Sequence, residues 1–151
     1  MLIKQLSVFI QNQRGHLADV TEVLAGNGIN IRSITVTEGH EFGILRIITD
    51  DPYRAAHLLE EEGYLVKISN VLAIEPADKP GTMAGIFRAL SEAGIDVRYI
   101  YSIIRPTHGK VPTIILKTSD HEKAAQVMKE IGVPVVEEEE IYTCENDQED
   151  R

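Results

Sequence analysis

Leu6, Val8 and Ile10 alternate with Ser7, Phe9 and Gln11, and this period of two predicts a strand with one apolar face. After Gly15 the spacing changes: Leu17, Val20, Val23 and Leu24 recur as on one face of a helix, which Gly26 to Gly28 then stops. Ile29 to Thr37 is rich in β-branched residues and reads as a second strand. Glu38-Gly39-His40-Glu41 reads as a turn, and Phe42 to Thr49 as a third strand. Asp51 before Pro52 is a helix-start signal, because the carboxylate caps free N–H groups and proline fits the first helical position. Ala55, Leu58 and Leu59 give that helix its apolar face, Gly63 ends it, and Tyr64 to Ser69 returns as a fourth strand.

The same order recurs. Gly15 and Gly28 match Gly81 and Gly94 at an offset of 66, whereas Thr49-Asp50-Asp51, Ala55-Ala56 and Gly63 match Thr118-Ser119-Asp120, Ala124-Ala125 and Gly132 at an offset of 69. The second copy therefore holds three extra residues, placed near the turn-rich stretch Pro106-Thr107-His108-Gly109-Lys110, where insertion costs little. Its strands are expected near 71–76, 95–105, 111–118 and 134–141, and its helices near 82–93 and 121–131. The fold class is thus α+β: two tandem ferredoxin-like βαββαβ modules with antiparallel sheets, each with its two helices on one face. Right-handed crossovers place the first and third strands of a module side by side. The domains are 1–70 and 71–142, followed by an acidic tail, 143–151; only Asn70 lies between the last strand of one copy and the first of the next.

At 151 residues, 43% apolar and 26% charged, the chain can bury a real core, and wholesale disorder is excluded. The net charge is −9, but residues 137–151 hold eight acids against Arg151, so the body is nearly neutral. A body without a basic surplus argues against nucleic acid as partner. No apolar run approaches the roughly 18 residues of a membrane span, and the start lacks a signal-peptide pattern; a cytoplasmic protein is expected. Cys144 is the one cysteine, so an intrachain disulfide and a Cys-based zinc site lack their second sulfur.

Catalysis finds little support. Cys144 stands among carboxylates that raise a thiol pKa, and His16, His40, His57, His108 and His121 read as surface histidines without metal-ligand spacing. Nucleophile elbow, phosphate loop and dinucleotide motif are all missing, so neither an enzyme nor a cofactor or metal is expected. Binding is better supported. Each copy has a strand, a short loop (Asn12-Gln13-Arg14-Gly15 or Asp78-Lys79-Pro80-Gly81) and a helix start, where free N–H groups attract a carboxylate and glycine lets it come close. Asn12 or Asp78 could accept from an ammonium group, and Asn30 or Asp96 offers a second acceptor expected near the same end of the sheet. A carboxylate and an ammonium on one small molecule describe an amino acid. The same residues also serve tight turns, so a purely structural role stays open.

With [Asn/Asp]-x-x-Gly before the first helix and Gly-Ile-[Asn/Asp]-[Ile/Val] after it, both duplicated, the chain resembles a pair of ACT domains over nearly all of residues 1–141. Leu6 to Thr35 is also similar to the start of the acetolactate synthase regulatory subunit. The resemblance implies amino-acid sites at interfaces between modules, where the loop of one faces the second strand of another. It implies ligand-binding roles for Asn12, Gly15 and Asn30, with Arg14, His16, Leu17 and Ile31 beside them. In the second copy it implies the same for Asp78, Gly81 and Asp96, with Thr82, Met83 and Val97. Some family members carry a histidine two residues before the loop Asn or Asp; Ile10 and Pro76 stand there instead. With no room for an enzyme beyond two modules, the resemblance implies a free-standing sensor that regulates a metabolic enzyme in trans. A homodimer is expected from open strand edges. The other reading, an RNA-recognition module, shares the strand order and has Tyr99 and Tyr101 on one strand face, but Ser33 and Thr35 in the first copy.

Overall fold

The computed structural model describes residues 2–37, 39–103, 105 and 112–143. The expected insertion near 106–110 with His108, and the tail from Cys144 on, lie outside the described residues. Two compact units result, Lys4–Ser69 and the residues from Asn70 onward joined by the amino terminus up to Ile3.

The first unit contains β1 (Ile3–Gln11), α1 (His16–Gly26), β2 (Ile31–Thr37), β3 (Phe42–Thr49), α2 (Pro52–Glu61) and the leading part of β4 (Leu65–Ile74). The strands lie in the order β2-β3-β1-β4, and β1 and β2 both run antiparallel to β3. Leu6, Val8 and Ile10 are buried with Val20 and Leu24 of α1 and Ala55 and Leu59 of α2. The period-two stripe of the strand and the apolar stripes of both helices thus meet in one core. Asp51 accepts a hydrogen bond from the Arg54 N–H at 3.1 Å, so α2 starts as its Asp-Pro signal predicts.

The second unit takes the trailing part of β4, then α3 (Thr82–Glu92), β5 (Val97–Ile103), β6 (Thr113–Thr118), α4 (His121–Glu130) and α5 (Glu138–Tyr142). β6 runs antiparallel to β4 and to β5. Leu72, Ile74, Ile86, Leu90, Leu116, Ala124 and Met128 form its core, and Leu2 packs against it. Asp120 caps α4 by accepting from the Lys123 N–H at 3.0 Å. The antiparallel, ferredoxin-like organisation is present in both repeats.

Two expected details differ. The strands expected at 64–69 and 71–76 are one continuous strand, β4, with no break at Asn70. Val66 and Ile68 pack on the first core, and Leu72 and Ile74 belong to the second. In each half of the strand, alternate residues face the core of that half's own unit. The strand expected at 134–141 does not form. Only an isolated antiparallel bridge joins Val135 to Ile74. The Glu75 N–H donates to the Pro134 carbonyl at 3.0 Å and the Val136 N–H to the Ala73 carbonyl at 2.9 Å. Pro134 has no N–H to return the first of these bonds, so the ladder is weakened at its outset. The glutamate run then favours a helix start: Glu137 and Glu140 form a capping box, with the Glu137 N–H donating to the Glu140 carboxylate at 3.0 Å. Arg105 is buried against this junction, where it pairs with Glu75 and donates to Thr113 Oγ1 at 2.8 Å; its other nitrogen lies 3.7 Å from the Glu140 carboxylate.

Candidate functional site

Each unit builds the same loop before its first helix. Gly15 and Gly81 are the N-caps of α1 and α3 and adopt φ of 93° and 89°, the left-handed region that favours glycine. Neither helix has a side-chain cap, unlike α2 and α4. The first intrahelical bonds run from the Asp19 N–H to the Gly15 carbonyl and from the Gly85 N–H to the Gly81 carbonyl, both 2.9 Å. The N–H groups of Leu17 and Ala18, and of Met83 and Ala84, therefore sit ahead of the helical ladder, at its positive end. A Cβ placed on Gly15 or Gly81 would meet no atom within 4 Å, so the space in front of both loops is open. Beside each glycine a buried polar atom lacks a hydrogen-bond partner among the described residues: His16 Nδ1 in the first unit and Thr82 Oγ1 in the second.

The other loop residues divide. Asn12 Nδ2 donates to the Gly39 carbonyl at 3.4 Å, and the Asn12 N–H donates to the Glu41 carbonyl at 3.0 Å, so its turn-shaping role is realised. Asn12 also borders a hollow of about 340 Å³ with Gln13, His40 and Phe42. Arg14, Leu17 and Asp78 are exposed. Met83 is half-buried against the second core, so much of its surface belongs to packing.

Asn30 and Asp96 open β2 and β5, and each is held by the residue after the neighbouring strand. The Asp50 N–H donates to the Asn30 carbonyl and its carboxylate accepts from the Asn30 N–H at 3.0 Å. Ser119 does the same for Asp96, with its Oγ accepting at 3.0 Å. Both side chains stay exposed in matching grooves: Thr21, Ala25, Ile29, Asn30 and Ile31 line one of about 330 Å³. Phe87, Ser91, Ile95, Asp96 and Val97 line the other, of about 380 Å³. Asp50 and Ser119 were visible in the sequence only as a repeat match; their reciprocal bonding needs the strand pairing to be known.

The expectation that Asn12 and Asn30 share one end of the sheet is overturned. Asn12 bonds to Glu41, before β3, and Asn30 bonds to Asp50, after it. The strand between them separates the two ends by about 30 Å at its usual rise per residue. The second unit repeats this: Asp78 lies past Ile74, which pairs with Ile114, while Asp96 precedes Val97, which pairs with Thr118. The helix joining the two positions carries the chain back across the sheet, so closeness in sequence is not closeness in space.

His121 is a second correction, since it is not a surface histidine. It is half-buried, with Nε2 3.1 Å from Lys117 Nζ and Nδ1 3.1 Å from Thr118 Oγ1. Burial pushes its pKa below the ordinary histidine value, Lys117 pushes the same way, and Asp120 opposes them. His57 is exposed beside Glu61, at 3.3 Å. Tyr99 and Tyr101 stack on β5 with centroids 6.4 Å apart. Among the described residues no cluster of three or more His, Cys, Asp or Glu could hold a metal, and no helix is long and apolar enough to cross a membrane.

Comparison with known proteins agrees with this duplicated geometry. Protein BT0572 from Bacteroides thetaiotaomicron is 34% identical, with a TM-score of 0.85 over 95% of this chain and 98% of that one. The regulatory subunit of aspartate kinase from Thermus thermophilus, in its ligand-free form, shares the fold at 19% identity and a TM-score of 0.62, over 85% of this chain and 93% of that one. Its counterpart from Thermus flavus is similar at 20% identity and a TM-score of 0.60, covering 86% and 93%. Among curated proteins none matches. The family model for the ACT domain pair matches residues 1–144, and the chain belongs to that family.

Proposed function

We propose that the protein is a non-catalytic regulatory module that binds a free amino acid at the loops before α1 and α3 and acts on a metabolic enzyme in trans. One observation carries this reading: in both repeats the helix after the loop has no side-chain cap, while the second helix of each repeat is capped by its own aspartate. Uncapped N–H groups at a helix start are suited to a carboxylate, and the positive-φ glycine leaves the approach open. Asn12 and Asp78 flank these loops as acceptors for the ammonium group. Asn30 and Asp96 are too far from the loop of their own unit to touch the same ligand. Membership of the ACT family, and structural likeness to aspartate kinase regulatory subunits, support a regulatory rather than a chemical role.

The two loops are unequal, because Asp78 is a carboxylate and Asn12 an amide. Hydrogen bonds to charged groups contribute roughly 1.5–3 kcal/mol against about 1 for neutral ones. Calorimetric titration with the twenty amino acids is expected to find a ligand whose affinity falls about tenfold or more in Asp78→Ala and less in Asn12→Ala. Unchanged affinity and stoichiometry in both variants would show that these loops only shape the backbone. Gly81→Val is a poorer test, since φ of 89° strains any side chain whatever the space.

A further inference from the structure

The incomplete last strand leaves a second feature that amino-acid binding does not use. In the bridge to Ile74, Pro134 and Val136 turn their backbone groups toward β4. Strand alternation therefore turns the N–H and C=O of Val135 the opposite way, and among the described residues neither has a hydrogen-bond partner. The bridge thus leaves one extended residue with an unpaired backbone edge, and a hollow of about 770 Å³ borders it. Its apolar wall is Leu2, Ala125, Val133, Pro134 and Val135, all within the second unit. Glu122, Glu137 and Lys129 stand around it, a net acidic border.

Repeat matching shows how the hollow arises. At the offset of 69, Val133 corresponds to Tyr64 and Glu122 to Tyr53. Tyr64 packs against the first core, whereas Val133 fills far less of the same position. At Val133 the second repeat has thus exchanged a ring packed on the core for a smaller side chain, beside the unpaired backbone of Val135.

We propose that this edge and hollow dock an extended polypeptide segment carrying an aliphatic anchor next to a lysine or arginine. The segment would add a strand beside Val135, exchanging two backbone hydrogen bonds with it, and seat its anchor against Val133 and Ala125. The acidic border selects a basic flank. Strand addition takes affinity from main-chain bonds and specificity from such side-chain hollows. The inference is independent of the amino-acid reading, since no loop residue takes part.

The test is selection from a random-peptide phage library on the full chain, followed by binding of the selected peptides in solution. Enrichment of alternating sequences with an aliphatic residue beside Lys or Arg is expected, with protection of the Val135 amide from hydrogen exchange on binding. Val133→Tyr, which restores the ring found in the first repeat, should weaken binding about tenfold or more. Glu122→Gln should weaken it less and lower its salt dependence. N-methylation of the peptide residue opposite Val135 should abolish it, a readout that does not depend on any variant folding. Failure to enrich such peptides, indifference to N-methylation, or occupation of the edge by a second copy of this chain in sedimentation would each overturn the proposal. Amino-acid titration of the same preparation is expected to be unaffected by Val133→Tyr, which separates this outcome from failure of the loop sites.

Discussion

His121 shows how one side chain can carry a pH dependence that its position in the sequence does not advertise. Its Nε2 faces the Lys117 ammonium and its Nδ1 faces Thr118, an arrangement that requires a neutral ring accepting from the lysine. Lys117 also donates to the Asn70 carbonyl at 3.1 Å, so protonating His121 sets two cations against each other beside β4. With its folded pKa below the ordinary value of 6.5, the unfolded chain takes up the proton more readily. The stabilising contribution is complete above the unfolded value and is lost as the pH falls through the lowered folded one. Thermal melts from about pH 7 to 5 should therefore show a steeper loss of stability in the wild type than in His121→Asn. Equal slopes would mean that the contact does not govern the titration.

At the scale of elements, caps separate the helices that close the fold from those that open the loops. Asp51→Ala and Asp120→Ala each remove the side-chain acceptor at a helix start, and each should cost about 1 kcal/mol in denaturant unfolding. A cost near zero would place the two helices under tertiary control alone. Both caps were legible beforehand, Asp51 from its proline and Asp120 from its repeat match. The four longer helices and the strand alternation were legible for the same reason: their apolar residues recur at the period of the element that buries them. The segment at 134–141 was misread because Val135 and Val136 favour strands and the repeat called for one. The missing N–H of Pro134 and the mutual capping of Glu137 and Glu140 outweigh that propensity. The loop glycines were legible, yet the partner assigned to them was not, since Asn12 and Asn30 are separated by the return path of α1. Residue types announce what a site can bind; only topology says which of them can bind it together.

Over the whole chain, duplication has produced two cores and two sets of loops from one pattern, and the differences between the copies are as informative as the matches. Asn12 against Asp78 sets the charge of the loops, and Tyr64 against Val133 sets the filling of a groove. The continuous strand β4 adds a constraint of another kind. Within the second unit, Leu72 and Ile74 occupy alternate positions of β4 and both belong to the core. Inserting one residue between Leu72 and Ala73 would turn Ile74 away from that core, whereas inserting two would restore its face. The single insertion should lower stability far more than the double one in urea unfolding, and equal losses would show that the end of the strand repacks at little cost. This stretch thus counts residues in pairs, like a reading frame of two, a count that the period of a helix never imposes.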